Sequence, residues 1–560
     1  MFIAYVGKLI VDGVIVAAAS GGADDRGLVV RWLVVELCLI AALLAAYRGL
    51  AVCEALLRVQ LAQHVTERVL RKTLSLELSD LESPAVQDLL TRARKDAAHR
   101  PLGLVRSALT VAQESLSLIG YAVLIARFSP WLVLLMGLAA LPAIIAEVRF
   151  NADAFRLYRR QTPDARRQEY LETVIAQLEY AQEVKTLGIG PYLLEEHARI
   201  FRLLFEQDRK LTVRRGVWGF LLASLGAAAL AAGYAVVAWA AMDKRVSIGE
   251  MAMLFIVLKQ AQSLVGILLV SVAAMHEDNL YLSLLHEYLE YSVTPRGGTV
   301  QVGVEPGAGL RFEQVSFTYP GRTEPALRDV TFSLPAGTSM AVVGANGAGK
   351  TTLAKLAMGL YAPGSGRVLV DELDVREWDR DALLARMAIV VQDFARYQLS
   401  AGRNIGLGDV AHVDDPERWK DAAQQALIHE DLTALPDGYT TQLGRLFDGG
   451  LDLSLGQWQR IALARMFMRD SARLLILDEP TSRLDPAAEA VLLRRLATVP
   501  ASACALIVSH RLASVRAADT ILVLEHGRVV EQGTHEELAN HGGVYAALLQ
   551  ATERAGEPGT

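Results

Sequence analysis

A glycine-rich segment in the second half of the sequence has the composition and the setting of a phosphate-binding loop. The apolar residues 340–343 before it predict a buried strand, and the residues after it predict a helix. Glycines let backbone N–H groups close around phosphate oxygens, and the start of the helix adds a positive dipole. The pattern therefore predicts a site for ATP, in which Lys350 reaches the terminal phosphates and Thr351 offers its hydroxyl to Mg²⁺. The nucleotide-binding residues predicted in this segment are Gly344, Asn346, Gly347, Ala348, Gly349, Lys350, Thr351 and Thr352.

Two further apolar runs, at 474–477 and 505–508, end in side chains that can act on a bound phosphate. Asp478 is suited to hold Mg²⁺ through water, and Glu479 is suited to polarise the attacking water as a general base. His510 ends the other run, where it can contact the terminal phosphate and keep the water in register with Glu479. Solvated acids and a structural histidine are the alternatives, which the neighbouring phosphate loop disfavours.

These segments belong to a region in which short β-branched runs alternate with glycines and polar helices. This alternating pattern begins near Leu310 and predicts an α/β domain with a mainly parallel sheet. A stretch rich in Gly and Pro precedes it, and a small, polar segment ends the chain. We therefore predict a linker at 291–309, a nucleotide-binding domain at 310–550 and a disordered tail at 551–560.

The first half of the chain has the hydropathy of a membrane domain. The whole sequence of 560 residues is 52% hydrophobic, with a mean hydropathy of +0.27. Gly216–Met242 holds 27 residues without a charge, more than the roughly 20 that span a bilayer as a helix. We predict an all-α transmembrane domain at 1–290. Its six spans are 2–19, 28–47, 115–126, 131–146, 216–242 and 248–274.

The connections between these spans alternate between short and long. The long connection at 149–215 carries thirteen Lys or Arg residues, whereas the three short turns carry four in total. The positive-inside rule places the long connections in the cytoplasm. Their patterning predicts membrane helices that continue far into the cytosol, with ordinary basic loops as the alternative. Ser247 and Glu250 have the spacing of a capping box that starts the sixth span.

Charge and cysteine usage exclude other classes of protein. A net charge of −6 argues against a general nucleic-acid binder. Three scattered cysteines support neither a disulfide framework nor a zinc site.

A short segment upstream of the apolar run at 474–477 resembles a sequence motif of a known family. It reads Leu453-Ser454-Leu455-Gly456-Gln457, which resembles the LSGGQ signature of ATP-binding cassette (ABC) proteins. The resemblance implies that Ser454, Gly456 and Gln457 head a helix that contacts the γ-phosphate of ATP held by the opposite subunit. It also implies that Tyr319 stacks on adenine, that Gln392 joins Mg²⁺ and the catalytic centre to the membrane half, and that Asp485 belongs to the D-loop.

The sequence departs from the family pattern at a few positions. Leu455 replaces the first signature glycine, Arg483 replaces a usual alanine, and Asp371-Glu372 stands where many members have Asp-Gly. The first span also has a shorter lead-in than is usual in the family. None of these changes removes a catalytic group, so we expect the chain to hydrolyse ATP.

Six spans followed by one cassette resemble the exporter branch of the family over nearly the whole chain. The resemblance implies a half-transporter in the bacterial plasma membrane that pairs with an identical or a related chain. The resemblance also implies that this half-transporter exports a small hydrophobic, amphipathic or peptide substrate by alternating access. Segments at 80–84, 183–188 and 392–397 resemble bacterial peptide and bacteriocin exporters. An importer and an ATP-gated regulator or channel are the alternatives, and intact Glu479 and His510 disfavour the second.

Polar side chains within the predicted spans are candidates to line a substrate cavity, because charges at membrane depth tend to face the bundle interior. Lys8 and Asp12 are four residues apart, so an ion pair between them is the alternative. The candidates are Lys8, Asp12, Gln113, Glu114, Lys259, Gln260 and Gln262.

Overall fold

A computed structural model of the chain describes residues 2–20, 23–96, 100–292, 297–484, 488–492 and 500–556. Contacts divide the chain into two units. The first consists of Met1–Ser75 and Ala85–Tyr291, and the second consists of Leu76–Pro84 and Ser292–Thr560. The second of the two borders follows Tyr291. The sequence did not predict that Leu76–Pro84 belongs to the second unit.

The described part of the first unit is helical. Its long helices have 42 to 53 residues. At 1.5 Å per residue, a helix of 53 residues is about 80 Å long, well beyond the roughly 30 Å of a bilayer core. The described residues of the long connections are therefore mainly helical. The helices up to residue 289 are α1 (Phe2–Ser20), α2 (Ala23–Ser75), α3 (Leu78–Leu81), α4 (Pro84–Asp96), α5 (Arg100–Phe128), α6 (Pro130–Ala176), α7 (Leu178–Thr186), α8 (Gly190–Met242) and α9 (Ile248–Leu289).

Five helical segments among the described residues are long and apolar enough to cross a membrane. They are Arg26–Ser75, Arg100–Phe128, Pro130–Tyr158, Gly190–Met242 and Ile248–Leu289. These five correspond to five of the six predicted spans, and the sixth, at 2–19, forms α1, which is outside this set. The capping box is confirmed, because the Glu250 amide donates to Ser247 Oγ at 3.0 Å and the Ser247 amide donates to Glu250 Oε2 at 3.1 Å.

Helix α1 is joined to the start of α9 by polar contacts. Lys8 Nζ lies 2.8 Å from Glu250 Oε1, and Asp12 Oδ1 accepts from Ser247 Oγ at 2.9 Å and from the Gly249 amide at 3.0 Å. The alternative of an ion pair between Lys8 and Asp12 is therefore replaced by a pair between Lys8 and Glu250. The first amides of a helix lack partners within the helix, and the Asp12 carboxylate supplies one from a neighbouring helix.

The second unit contains two sheets. The larger has six strands in the order β10-β9-β3-β8-β7-β6, all parallel except β10. This sheet confirms the predicted mainly parallel α/β domain. A second, antiparallel sheet with the order β2-β1-β4-β5 was not predicted. The strands are β1 (Leu310–Phe317), β2 (Leu327–Leu334), β3 (Ser339–Val343), β4 (Ser365–Val370), β5 (Leu373–Asp374), β6 (Met387–Val390), β7 (Leu474–Asp478), β8 (Cys504–Val508), β9 (Thr520–Glu525) and β10 (Arg528–Gly533).

Helices cover the six-stranded sheet, and its central strands β3 and β8 are buried along their whole length. The last helix includes residues 551–556, where the sequence predicts a disordered tail. The helices after residue 309 are α10 (Lys350–Ala357), α11 (Arg380–Ala385), α12 (Ala401–Gly406), α13 (Pro416–Gln425), α14 (His429–Thr433), α15 (Leu455–Phe467), α16 (Leu512–Arg516), α17 (His535–His541) and α18 (Val544–Gly556).

The segment Leu76–Pro84 is held in the second unit by a hydrophobic contact and two polar contacts. Leu78 packs against the core of that unit. The Tyr361 hydroxyl donates to Glu82 Oε2 at 2.6 Å, and Arg380 Nη1 lies 3.5 Å from Glu77 Oε2. Helix α2, which ends at Ser75, thus runs directly into a segment of the second unit.

Candidate nucleotide-binding site

The glycine-rich loop follows buried strand β3 and ends at the N-terminus of α10. Gly344 has a φ of +153°, and a Cβ atom there would lie 2.2 Å from the carbonyl oxygen of Leu524. Gly349 has a φ of +105°, and a Cβ atom there would lie 2.8 Å from the carbonyl oxygen of Ala326. Both positions therefore require glycine.

The tip of the loop is accessible to a ligand. Asn346 and Gly347 are exposed, whereas Ala348 is buried beneath them. Lys350 is also buried, and its ammonium group donates to the carbonyl oxygens of Gly344 at 2.8 Å and of the next residue at 3.0 Å. Burial lowers the pKa of Lys350, and the nearby carboxylates of Asp478 and Glu479 oppose that shift. The ammonium group thus lies within the loop that is predicted to hold the phosphates.

Asp478 ends strand β7 beside this loop. Its side chain is buried, and Oδ1 has no hydrogen-bond partner among the described residues. Burial raises the pKa of Asp478 to about 6, and a hydrogen bond from Thr351 opposes the shift. A buried carboxylate oxygen without a partner costs about 1–3 kcal/mol or more. The position therefore favours a ligand that supplies positive charge.

Glu479 follows Asp478 and lies between two other predicted residues. Its Oε1 lies 3.2 Å from His510 Nδ1, and its Oε2 accepts from Gln392 Nε2 at 3.3 Å. The Glu479 amide donates to the carbonyl oxygen of Val508 at 2.9 Å, which fixes the backbone at the end of β7. The structure thus brings together Gln392, Glu479 and His510, which end or follow three neighbouring strands, β6, β7 and β8.

Tyr319 lies beside α10 in a cluster of aromatic rings. Its ring meets Phe317 and Tyr361 edge-on, with centroids 5.0 Å and 5.4 Å away. Its hydroxyl lies 3.1 Å from Thr352 Oγ1, and Lys355 Nζ lies 5.7 Å from the ring centroid. Tyr319 and Thr352 are therefore adjacent at the helix that follows the phosphate loop.

The signature segment forms the start of α15. Ser454 is the N-cap, its Oγ accepts from the Gln457 amide at 3.2 Å, and its own amide donates to Gln457 Oε1 at 2.9 Å. The Gln457 side chain also donates to Asp431 Oδ1 at 2.8 Å, so its amide oxygen and its amide nitrogen each have a partner within this unit. A Cβ atom at Gly456 would lie 2.9 Å from the carbonyl oxygen of Arg483.

The structure does not join the signature to the phosphate loop. No hydrogen bond among the described residues connects Ser454 or Gly456 with residues 344–352. The D-loop residue Asp485 lies outside the residues that the structure describes.

Gln459 is a residue of the site that the sequence reasoning missed. It is 2% exposed, its Nε2 donates to the carbonyl oxygen of Glu479 at 3.0 Å, and its Oε1 accepts from the Arg483 amide at 2.9 Å. The Gln459 side chain thus links α15 to the backbone of Glu479, the candidate general base. The sequence signal that could have identified Gln459 is a polar residue on the apolar face of a predicted helix.

A second polar link joins α15 to the segment that follows Gln392. Arg465 donates to the backbone and side-chain oxygens of Asn404 and to the carbonyl oxygen of Ala395, each at 2.8 Å. Burial lowers the pKa of Arg465 to about 10. The buried amide of Asn404 in turn donates to the carbonyl oxygen of Tyr397 at 2.9 Å.

Comparison with known proteins identifies the family. The family profile described as ABC transporter matches residues 327–482, which include the phosphate loop, the signature and both acids. The subtilin transport ATP-binding protein SpaT of Bacillus subtilis is 29% identical over 477 residues, which cover 84% of this chain and 76% of that protein. Residues 327–482 therefore form the ATP-binding domain of an ABC transporter. This transporter binds ATP and couples its hydrolysis to transport.

Other comparisons cover one or both units of the ABC transporter. The nisin transport ATP-binding protein NisT of Lactococcus lactis subsp. lactis is 25% identical over 505 residues, 88% of this chain and 82% of that protein. The ATP-dependent lipid A-core flippase of Chromohalobacter salexigens is 40% identical over 242 residues, which cover 43% of this chain and 41% of the flippase.

The fold is shared with a solved ABC exporter. The structure of a bacterial Atm1-family ABC exporter with ATP bound aligns with a TM-score of 0.81 at 23% identity. The alignment covers 100% of this chain and 98% of that one. The five long apolar helices and the similarity to SpaT make this ABC transporter a multi-pass membrane protein that carries its cassette on the same chain.

Proposed function

We propose that the chain is one half of an ATP-driven exporter that acts as a dimer in the bacterial plasma membrane. The observation that carries the proposal is the position of the Glu479 carboxylate between His510 and Gln392, beside buried Asp478 and Lys350. The relatives named for subtilin and nisin transport, together with the exporter fold, favour export over import. The hydrolytic geometry disfavours a regulator or channel that uses the cassette as a switch.

The donor set at the end of β7 fits Mg²⁺. This ion prefers oxygen ligands, and the buried Asp478 Oδ1 has no partner among the described residues. The hydroxyl of Thr351 bonds to the same carboxylate, and Gln392 lies beside Glu479. Asp478, Thr351 and Gln392 would hold the ion, which neutralises charge on the phosphates when it is bound.

The residues around the phosphate loop divide the chemistry of hydrolysis between them. The Glu479 carboxylate accepts a proton from the attacking water, and His510 keeps that carboxylate in register. Lys350, whose ammonium group donates to two carbonyl oxygens of the loop, places this group against the terminal phosphates. Tyr319 supports the adenine ring by stacking.

A second chain completes the site. The N-terminus of α15 carries the backbone amides and the positive dipole end that suit a phosphate. Ser454 and Gly456 lie at this end, and the family resemblance adds Asp485 of the D-loop. We therefore assign them to the γ-phosphate of ATP that the partner chain binds. The partner is an identical chain or a related half-transporter.

Coupling to the membrane unit uses the segment Leu76–Pro84. It packs within the second unit through Leu78, Glu77 and Glu82, and it continues directly from α2. Movement of the cassette is therefore passed to a membrane helix. ATP drives this movement only to the extent that it binds the closed arrangement more tightly than the open one.

The substrate is a small hydrophobic or amphipathic molecule, and a peptide is the class that two relatives support by name. Alternating access would move it from the cytoplasm to the outside.

ATP hydrolysis and substrate movement test this function together. The full chain in lipid nanodiscs is compared with Glu479→Gln and with the control Glu536→Gln, an exposed acid on α17. Glu479→Gln is expected to lower phosphate release about 10²- to 10⁴-fold and to retain ATP binding. The control is expected to match the wild type. In inside-out vesicles, ATP-dependent peptide uptake should disappear with Glu479→Gln, and near-normal hydrolysis by this variant would contradict the proposal.

A further inference from the structure

The first unit contains an apolar cavity of about 640 Å³. Helices α5, α6, α8 and α9 surround it, and small side chains such as Gly219, Ala223 and Gly266 form much of its wall. A Cβ atom at Gly219 or Gly266 would have no heavy-atom neighbour within 4 Å. The small residues therefore leave space that a hydrophobic ligand can fill.

A second cavity of about 460 Å³ adjoins the first. Phe150 and Arg215 line both, and Arg215 forms an ion pair with Glu147 of the apolar cavity. The arginine charge at the junction is thus balanced within the protein. The two cavities together form what we call the amphipathic groove.

Two carboxylates are part of the lining of the second cavity. Asp208 and Glu277 both line it. Glu277 shares the single cation Arg100 with Asp278, each at 3.0 Å. Asp208 accepts a hydrogen bond from Gln161 at 3.1 Å and forms no ion pair among the described residues. Arg215 and His276 also line the cavity, but Arg215 is paired with Glu147, so Asp208 is a lining carboxylate without a cation among the described residues.

Aromatic rings line the same cavity. Tyr158 and Tyr281 meet edge-on with centroids 5.6 Å apart. Two of the lining rings already receive guanidinium groups from the chain itself, since Arg100 lies 4.1 Å from the Tyr281 centroid and Arg214 lies 5.7 Å from that of Phe150. Carboxylates beside aromatic faces are the surroundings that bind organic cations.

We propose that the amphipathic groove binds a hydrophobic cation. Its apolar body occupies the cavity beside Gly219, and its positive charge lies near Asp208 in the adjoining cavity. This inference rests on the proposed transport function and names a chemical class for its substrate.

Two pairs of variants isolate the two parts of the groove. Gly219→Leu fills the apolar cavity, whereas Gly216→Leu adds the same side chain one turn earlier on α8, where a Cβ atom also has no neighbour within 4 Å and no cavity is lined. Asp208→Asn removes the charge and keeps an oxygen for Gln161. Glu206→Gln removes an exposed charge two residues away that lines neither cavity.

The test uses tetraphenylphosphonium as a hydrophobic cation and tetraphenylborate as an anion of similar shape. Binding to the full chain in nanodiscs is measured by equilibrium dialysis, with subtraction of uptake by protein-free nanodiscs. The wild type should bind the cation saturably, and Gly219→Leu and Asp208→Asn should each weaken binding about tenfold, which corresponds to 1.4 kcal/mol. Gly216→Leu and Glu206→Gln should bind as the wild type does.

Three results would overturn the inference: no saturable binding of the cation, equal binding of the anion, or unchanged binding by both groove variants. Basal ATP hydrolysis is measured on the same samples. Hydrolysis that depends on Glu479 without cation binding refutes the inference alone, whereas hydrolysis that survives Glu479→Gln refutes the proposed function.

Discussion

Glu479 Oε1 lies 3.2 Å from His510 Nδ1, although the two residues are 31 positions apart in the sequence. Strands β7 and β8 are parallel neighbours, with Asp478 paired to Val508, so both side chains follow the same edge of the sheet. The histidine side chain is 59% exposed and the glutamate side chain is 20% exposed. The Glu479 side chain is therefore largely enclosed by this unit, whereas the His510 side chain faces solvent.

Loss of this histidine should slow hydrolysis without abolishing nucleotide binding. In His510→Ala the Glu479 carboxylate loses its contact with the imidazole and keeps the hydrogen bond from Gln392. Since a misplaced catalytic group can cost about 10²-fold in rate, we expect a decrease of that size. Phosphate release and ATP affinity are measured in nanodiscs, with His526→Ala, an exposed residue after β9, as the control. Unchanged hydrolysis by His510→Ala would argue against the positioning role.

The buried amide of Gln459 should stabilise the second unit. Gln459→Met keeps most of the volume but leaves the Glu479 carbonyl and the Arg483 amide without this partner. The cost of such unsatisfied groups is about 1–3 kcal/mol. Calorimetry of the full chain should show a lower unfolding temperature, and ATP hydrolysis should decrease as Glu479 loses its backbone anchor. A melting temperature equal to that of the wild type would show that the contact contributes little.

The contact of α1 with α9 should depend on the absence of a side chain at Gly249. A Cβ atom there would lie 2.3 Å from Asp12 Oδ1, so Gly249→Ala displaces the carboxylate that caps α9. Loss of a cap costs about 0.5–2 kcal/mol. Gly7→Ala is the matched control, because a Cβ atom at Gly7 of α1 has no neighbour within 4 Å. Thermal unfolding in detergent should separate the two variants, and equal stability would contradict the assigned cap.

Cys504 should report unfolding of the sheet in the second unit. Burial raises the pKa of its thiol to about 12, so the reactive thiolate is scarce at neutral pH. Cys38 and Cys53 are exposed and are replaced by alanine in the variant that is tested. We expect no reaction with a maleimide at pH 7.5 until denaturant is added. Rapid stoichiometric labelling of the native chain would contradict the buried position.

Local patterns in the sequence predicted much of the candidate site. The predicted phosphate loop follows β3 and the predicted acids lie at the end of β7, because an apolar strand followed by chemically specific residues is a short-range signal. The strand-end pattern also linked His510 to Glu479, whereas the family resemblance assigned Gln392 to Mg²⁺ without indicating its contact with Glu479. Their roles are still predictions.

The failures involve contacts between distant segments. Lys8 pairs with Glu250, which is 242 residues away, and no spacing within α1 indicates that partner. Gln262 lines the apolar cavity, as expected of a polar group in a span, whereas the Gln113 amide donates to the Tyr47 hydroxyl at 3.3 Å. The antiparallel sheet was missed because its strands pair over long separations, such as Leu310 with Val370.

The central claim is that each ATP site is built from two chains, and complementation tests it most directly. Lys350→Ala disables the phosphate loop, and Gly456→Asp places a carboxylate at the start of α15. Each variant alone should be inactive. Differently tagged chains are co-expressed, and dimers that carry both tags are purified for assays of phosphate release. Pairing the two single variants leaves one intact composite site, whereas pairing the double variant with wild type leaves none. We predict hydrolysis by the first pair and none by the second; the reverse result would show that one chain completes its own site and would contradict the account.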